Sequence, residues 1–129
     1  MSSPLITFAP GQTLPATCAD ANVVQWQPLY VSTSADNTVT VAGGAASTLK
    51  FRGFARYDGS TSANQPIEMV VDGDSIARCG GTVTAGDNLE SDATVSRVQT
   101  ASTGTVIARA MESGVDGDYI RVQVIRSAG

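Results

Sequence analysis

Two Val-Asp-Gly-Asp segments, at 71–74 and 115–118, come nearest to a chemical site in the sequence. Asp72, Asp74, Asp116 and Asp118 are hard oxygen donors of the kind that hold calcium. The calcium loop of an EF-hand alternates three such ligands, turns on a fixed glycine and closes on a glutamate, and neither segment does this. Asp-Gly is also the strongest short hairpin signal, because glycine accepts positive φ and aspartate bonds its own backbone. Both segments are therefore expected as turns, and no metal site is expected. The glutamates Glu68, Glu90 and Glu112 are isolated in the sequence, and an acid–base pair needs two carboxyls converging in a cleft. There is no histidine, so the commonest general base and the partner that activates serine or cysteine nucleophiles are both missing. Cys18 and Cys79 form no Cys-x-x-Cys motif and are expected as free thiols behaving as small hydrophobes. The glycine pairs Gly43-Gly44 and Gly80-Gly81 fit neither phosphate-loop pattern, and no helix follows them to present its N-terminus to an anion.

The charge balance excludes further classes. Eight Lys and Arg stand against twelve Asp and Glu, for a net charge of -4. A sequence-independent nucleic-acid binder needs a basic face to displace counterions. No apolar run approaches the roughly 18–20 residues of a membrane helix, and residues 1–10 lack the charged and apolar regions of a secretory signal. The expectation is a binding protein with no catalytic residue, no cofactor, and no nucleic-acid or membrane partner.

The elements that position these residues read as strands. The 129 residues suffice for one domain. Fourteen Val and fourteen Thr outnumber five Leu, three Glu and one Lys, a balance that favours the pleated sheet over the helix. From residue 29 onward, short runs at 29–33, 38–42, 49–57, 67–71, 75–79, 88–91, 95–98, 104–111 and 118–125 alternate with turn residues. The last is the clearest, with Ile120, Val122 and Val124 facing one way and Arg121, Gln123 and Ile125 the other. The fold class expected is all-β: a small single-domain β-barrel or sandwich of about eight or nine short strands. The two Val-Asp-Gly-Asp segments, each ahead of a strand, suggest an internal echo.

Residues 1–28 differ. They hold Pro4, Pro10, Pro15 and Pro28 and a single charge, Asp20. They are expected to form an extended N-terminal arm, with residues 29–129 as the barrel domain. Leu5, Ile6, Phe8, Leu14 and Trp26 are the arm side chains expected to cover another surface, and deleting residues 1–20 is expected to leave the barrel folded. Arg52, Arg56, Arg109 and Arg121 are expected on outward strand faces, as candidates for inter-subunit pairs.

The second half also carries an ordered set of motifs. Gly53-Phe54-Ala55 is followed by Ile67-Glu68-Met69-Val70-Val71, then Thr84-Ala85-Gly86-Asp87-Asn88-Leu89, Val106-Ile107-Ala108, and finally Gly117-Asp118-Tyr119-Ile120-Arg121-Val122-Gln123-Val124. Over residues 50–125 this order resembles the capsid decoration, or cement, proteins of tailed bacteriophages. Val106 stands where that pattern has glycine, and residues 1–28 have no counterpart in it. The resemblance implies a β-barrel that trimerises on the outer surface of an icosahedral head, binding the major capsid protein and stabilising the shell. A tail-tube or head–tail joining subunit with a similar barrel is the alternative. A carbohydrate-binding β-module is less favoured, because one Trp, three Tyr and three Phe leave few aromatics to stack on a sugar.

Overall fold

The computed structural model describes residues 11–33, 36–41, 50–59, 61–91, 97–102 and 104–125. Among them are ten strands: β1 (Gln12–Cys18), β2 (Pro28–Val31), β3 (Thr38–Thr40), β4 (Phe51–Ala55), β5 (Gln65–Asp72), β6 (Asp74–Arg78), β7 (Asn88–Ser91), β8 (Val98–Thr100), β9 (Ala108–Ala110) and β10 (Tyr119–Val124). The all-β expectation holds. β1 to β5 close into a barrel in the order β1-β3-β2-β4-β5, and the other five form a sheet in the order β6-β10-β9-β7-β8. A bridge between Cys79 and Val98, with Gly80 N–H donating to Val98 O at 2.7 Å, draws the two outer strands of that sheet together.

β1 is the strand that the sequence conceals. It pairs antiparallel with β5 along its whole length and parallel with β3 only at Thr17 and Cys18. Pro15 lies mid-strand, where a missing N–H normally breaks a ladder. The phase of the strand resolves this. Thr17 N–H donates to Asn37 O and Ala19 N–H to Val39 O, so odd-numbered residues turn toward β3. Pro15 faces the same way, short of where pairing with β3 begins, and the β5 ladder loses nothing. The segment expected to be an arm up to residue 28 thus contributes a barrel strand, and deleting residues 1–20 would remove β1 and open the barrel.

Two apolar clusters hold the chain. Cys18, Val23, Leu29, Val39, Ala55, Met69 and Val71 fill the barrel, with Leu14, Ala16, Val41 and Ile67 packed against them. The larger cluster lies between the barrel wall and the sheet. Trp26, Tyr30, Phe51, Phe54 and Val70 meet Ile76, Leu89, Val98, Ile107, Ile120 and Val122 there. β5 serves both clusters, with Met69 and Val71 inside the barrel and Val70 outside, which explains an apolar run without clean alternation. On β10, Ile120, Val122 and Val124 are buried while Arg121 and Gln123 are exposed. Each fully buried aliphatic or aromatic side chain contributes about 1.5–3 kcal/mol.

The internal echo lies elsewhere than the sequence suggests. Residues 76–90 align without a gap on residues 107–121, sharing Ile-Ala-Arg at 76–78 and 107–109 and Gly-Asp at 86–87 and 117–118. Their turns are the same device. Thr84 N–H donates to Asp87 Oδ2 and Val115 N–H to Asp118 Oδ2, each at 3.0 Å. Gly86 and Gly117 have φ of 94° and 90°, values that favour glycine. Gly86 N–H donates to Ala110 O while Gly117 N–H donates to the equivalent Cys79 O, each at 2.8 Å. The strands are exchanged: β6 of the first copy pairs with β10 of the second, and β9 of the second with β7 of the first. Val83 and Gly114, equivalent positions, pair with each other. The other Val-Asp-Gly-Asp segment, at 71–74, instead carries the chain from barrel to sheet. Gly73 adopts φ 76° there, and Gly11 lies against its backbone so closely that a Cβ on Gly11 would collide with Asp72 O.

Candidate functional site

The mouth of the barrel is built by an irregularity in β4. Leu29 pairs with Gly53 and Tyr30 with Phe51, so Arg52 is an extra residue opposite no partner on β2. Such a bulge reverses the side-chain phase. Phe51 and Phe54 consequently both enter the larger core, stacking edge to face with centroids 5.2 Å apart. Arg52 is turned into a cavity of about 300 Å³ at the barrel end. Pro15, Ala16, Val31, Val39 and Met69 give it apolar walls, and Asn37 and Thr38 line it beside the stretch of β1 that β3 does not cover. Arg52 is half-buried and makes no hydrogen bond or ion pair among the described residues. Asp36 is exposed at the same rim and does not pair with it.

The other arginines have different surroundings. The Arg56 guanidinium lies over the rings of Trp26 at 5.8 Å and Tyr57 at 5.3 Å, a cation–π arrangement. A second hollow, lined by Tyr57, Pro66, Ile67 and Glu68 among others, opens next to it. Arg109 on β9 and Arg121 on β10 are both exposed. Arg97, which the sequence analysis did not single out, makes an ion pair with Asp116 at 2.8 Å.

The expected arm contacts separate. Leu5, Ile6 and Phe8 lie outside the described residues. Leu14 packs against the barrel interior. Trp26 is 1% exposed in the larger core, so its indole has no surface to offer another protein. It occupies the third position of a turn in which Gln27 N–H donates to Val24 O at 3.0 Å. Its φ of 67° is one that side chains with a Cβ resist, at a cost of about 1–2 kcal/mol that indole burial offsets.

The carboxylates of the described turns are engaged locally. Asp72 accepts Gly73 N–H, Asp116 pairs with Arg97, and Asp118 caps its own turn. No three His, Cys, Asp or Glu cluster to hold a metal among the described residues. Burial pushes the Cys79 thiol up to about 11, with Asp118, Glu112 and Asp116 adding to the shift. The Cys18 thiol is raised by burial as well, and the two cysteines occupy different cores.

No protein-family model matches the sequence, and no curated protein matches it. The fold is similar to a solved structure, the N base of the head fiber gp8.5 in bacteriophage phi29. The TM-score is 0.61 and the identity 17%, over 90% of this chain and 95% of that one. At that identity the likeness is one of fold.

Proposed function

We propose that this chain is a structural component of a tailed-phage head, bound as a trimer to the outer surface of the shell formed by the major capsid protein. The observation that carries the reading is the fold shared, over nearly the full length of both chains, with a phage head fiber base. The motif order over residues 50–125 points the same way. The protein acts by adhesion, with no catalysis. Many copies, each with several contacts, make weak individual interfaces sufficient to hold a shell. Leu5, Ile6 and Phe8 supply an apolar segment ahead of β1 for a neighbour to bind.

The test is cosedimentation with purified heads of the phage encoding this chain, prepared without it. Saturable binding is expected, with loss of binding on removal of residues 1–10, which leaves β1 intact. Light scattering should give about three times the chain mass of 13.2 kDa. Failure of the full chain to bind heads would overturn the proposal.

A further inference from the structure

We infer that the sheet is a two-fold clasp made by duplication of one strand–turn–strand unit, whose halves fill equivalent space with different side chains and open only together. Residues 76–90 and 107–121 are related as two subunits are across a dyad. In such a pair, residue i meets j while j meets i. Val83 N–H donates to Gly114 O at 2.8 Å, and Gly114 N–H donates to Val83 O at 3.0 Å. Gly86 N–H to Ala110 O and Gly117 N–H to Cys79 O are likewise reciprocal. Between the strands, Arg78 faces Tyr119 as Arg109 faces Asn88, and Ala77 faces Ile120 as Ala108 faces Leu89. Recurring Asp-Gly turns explain similar loops, but they do not require this reciprocity.

The packing at the dyad shows how the copies diverged. Gly114 lies outside the left-handed region, so its backbone does not call for glycine. Space does. A Cβ there would lie 2.7 Å from Ile120 Cγ2 and 3.2 Å from both Cys79 Sγ and Asp118 Cβ. The residues equivalent to these three are Leu89, Ala110 and Asp87. Leucine has no methyl branch at Cβ and alanine has no sulfur. The two atoms that crowd Gly114 therefore have no counterpart around Val83, which is buried in one core with Leu89 and Ala110. The aspartate contact is common to both copies. Valine in one half, and the Cys79 sulfur with the Ile120 methyl in the other, are alternative fillings of one site, and close packing makes them exclude each other. The interlock also couples the halves. Among the described residues β6 and β7 pair with β10 and β9 and not with one another, so the first unit has no hairpin of its own to keep when the second withdraws. The clasp does not depend on the proposed head-binding role.

Gly114→Val is made in the unmutated chain and in a Cys79→Ala/Ile120→Leu background. In the unmutated chain the valine should lower the urea midpoint by about 1 M, as an overpacked core does. In the cleared background the same substitution should raise the midpoint, because it rebuilds the filling around Val83. A valine that lowers the midpoint in both backgrounds, one tolerated in the unmutated chain, or a triple variant that does not fold would overturn the alternative fillings. Native-state hydrogen exchange on the unmutated full chain tests the joint opening. The amides of Val83, Gly86, Gly114 and Gly117 should exchange through one opening with one urea dependence. Release of Val83 and Gly86 at a lower urea concentration than Gly114 and Gly117, or the reverse, would overturn the clasp.

Discussion

Glu90 offers the sharpest test of how the sheet is held. It is 2% exposed, yet carries a carboxylate into the interior. Its Oε1 accepts the N–H groups of Ser102 at 3.1 Å and Gly104 at 2.9 Å, and its Oε2 accepts the Gln99 amide at 2.8 Å. Burial acts to raise its pKa, but these three donors outweigh it and hold the carboxyl below the ordinary glutamate value. Glu90→Ala removes all three bonds and leaves two backbone donors without an acceptor. A hydrogen bond to a charged group contributes about 1.5–3 kcal/mol. Three bonds sharing one carboxylate do not add, so the loss should be about 3–4 kcal/mol. At about 4 °C per kcal/mol for a chain of this size, Tm should fall by about 12–16 °C. Glu90→Gln keeps an oxygen for Ser102 and Gly104, and Gln99 can rotate its amide to present its own oxygen, so this variant should lose only about 1 kcal/mol. The pH dependence separates charge from shape. A carboxyl whose folded pKa is depressed stabilises fully above its unfolded value of about 4.3, and that contribution is lost as pH falls through the folded value. Urea titrations should therefore show the wild-type advantage over Glu90→Gln shrinking between about pH 6 and pH 3. An alanine variant within 1 kcal/mol of wild type, or a gap constant across that range, would refute the reasoning.

Other outcomes follow from the same geometry. Tyr30→Phe removes a buried hydroxyl bonded to Ser91 and leaves the serine unsatisfied, so urea unfolding should show a loss of about 1–3 kcal/mol. Phe54→Ala empties a fully buried aromatic site between barrel and sheet and should lower stability by about 3–5 kcal/mol in the same assay. Gly11→Ala places a Cβ against the Asp72 carbonyl and should destabilise the barrel-to-sheet crossing by about 1–3 kcal/mol, with Gly81→Ala as an unstrained control. Neither Cys18 nor Cys79 should react with Ellman's reagent at pH 8 until denaturant is added, and rapid labelling of the native protein would contradict their burial.

Much of the fold was legible in the sequence because turn chemistry is local. The nine runs from residue 29 onward each overlap a strand, the run at 95–98 only at Val98, since Asp-Gly and Gly-Gly pairs punctuate them. What escaped depends on contacts between distant segments. Pro15 disguises β1, and only the offset start of β3 makes it tolerable. Four prolines make residues 1–28 read as an arm, yet Trp26 is committed to the core by Ala55, whose carbonyl accepts its N–H at 2.7 Å. Arg52 and Arg56 were expected on outer faces. The β4 bulge turns Arg52 toward the barrel mouth, and no local pattern announces an extra residue whose partner strand lies elsewhere. The repeat hid for a related reason. Its two copies share only short identities, and the more conspicuous Val-Asp-Gly-Asp match joins segments with different roles.

The seven-residue pairing of β1 with β5 has a mechanical consequence. Tension between Gly11 and a hold at the opposite end of the barrel, where Cys18 pairs with Gln65, runs along β1, so the rungs of that ladder are strained together instead of peeling one at a time. Failure then requires a simultaneous slip of the whole strand. A tether entering at this end would transmit force into the domain like a lap joint, resisting sudden loads far better than a hairpin pulled open from its tip.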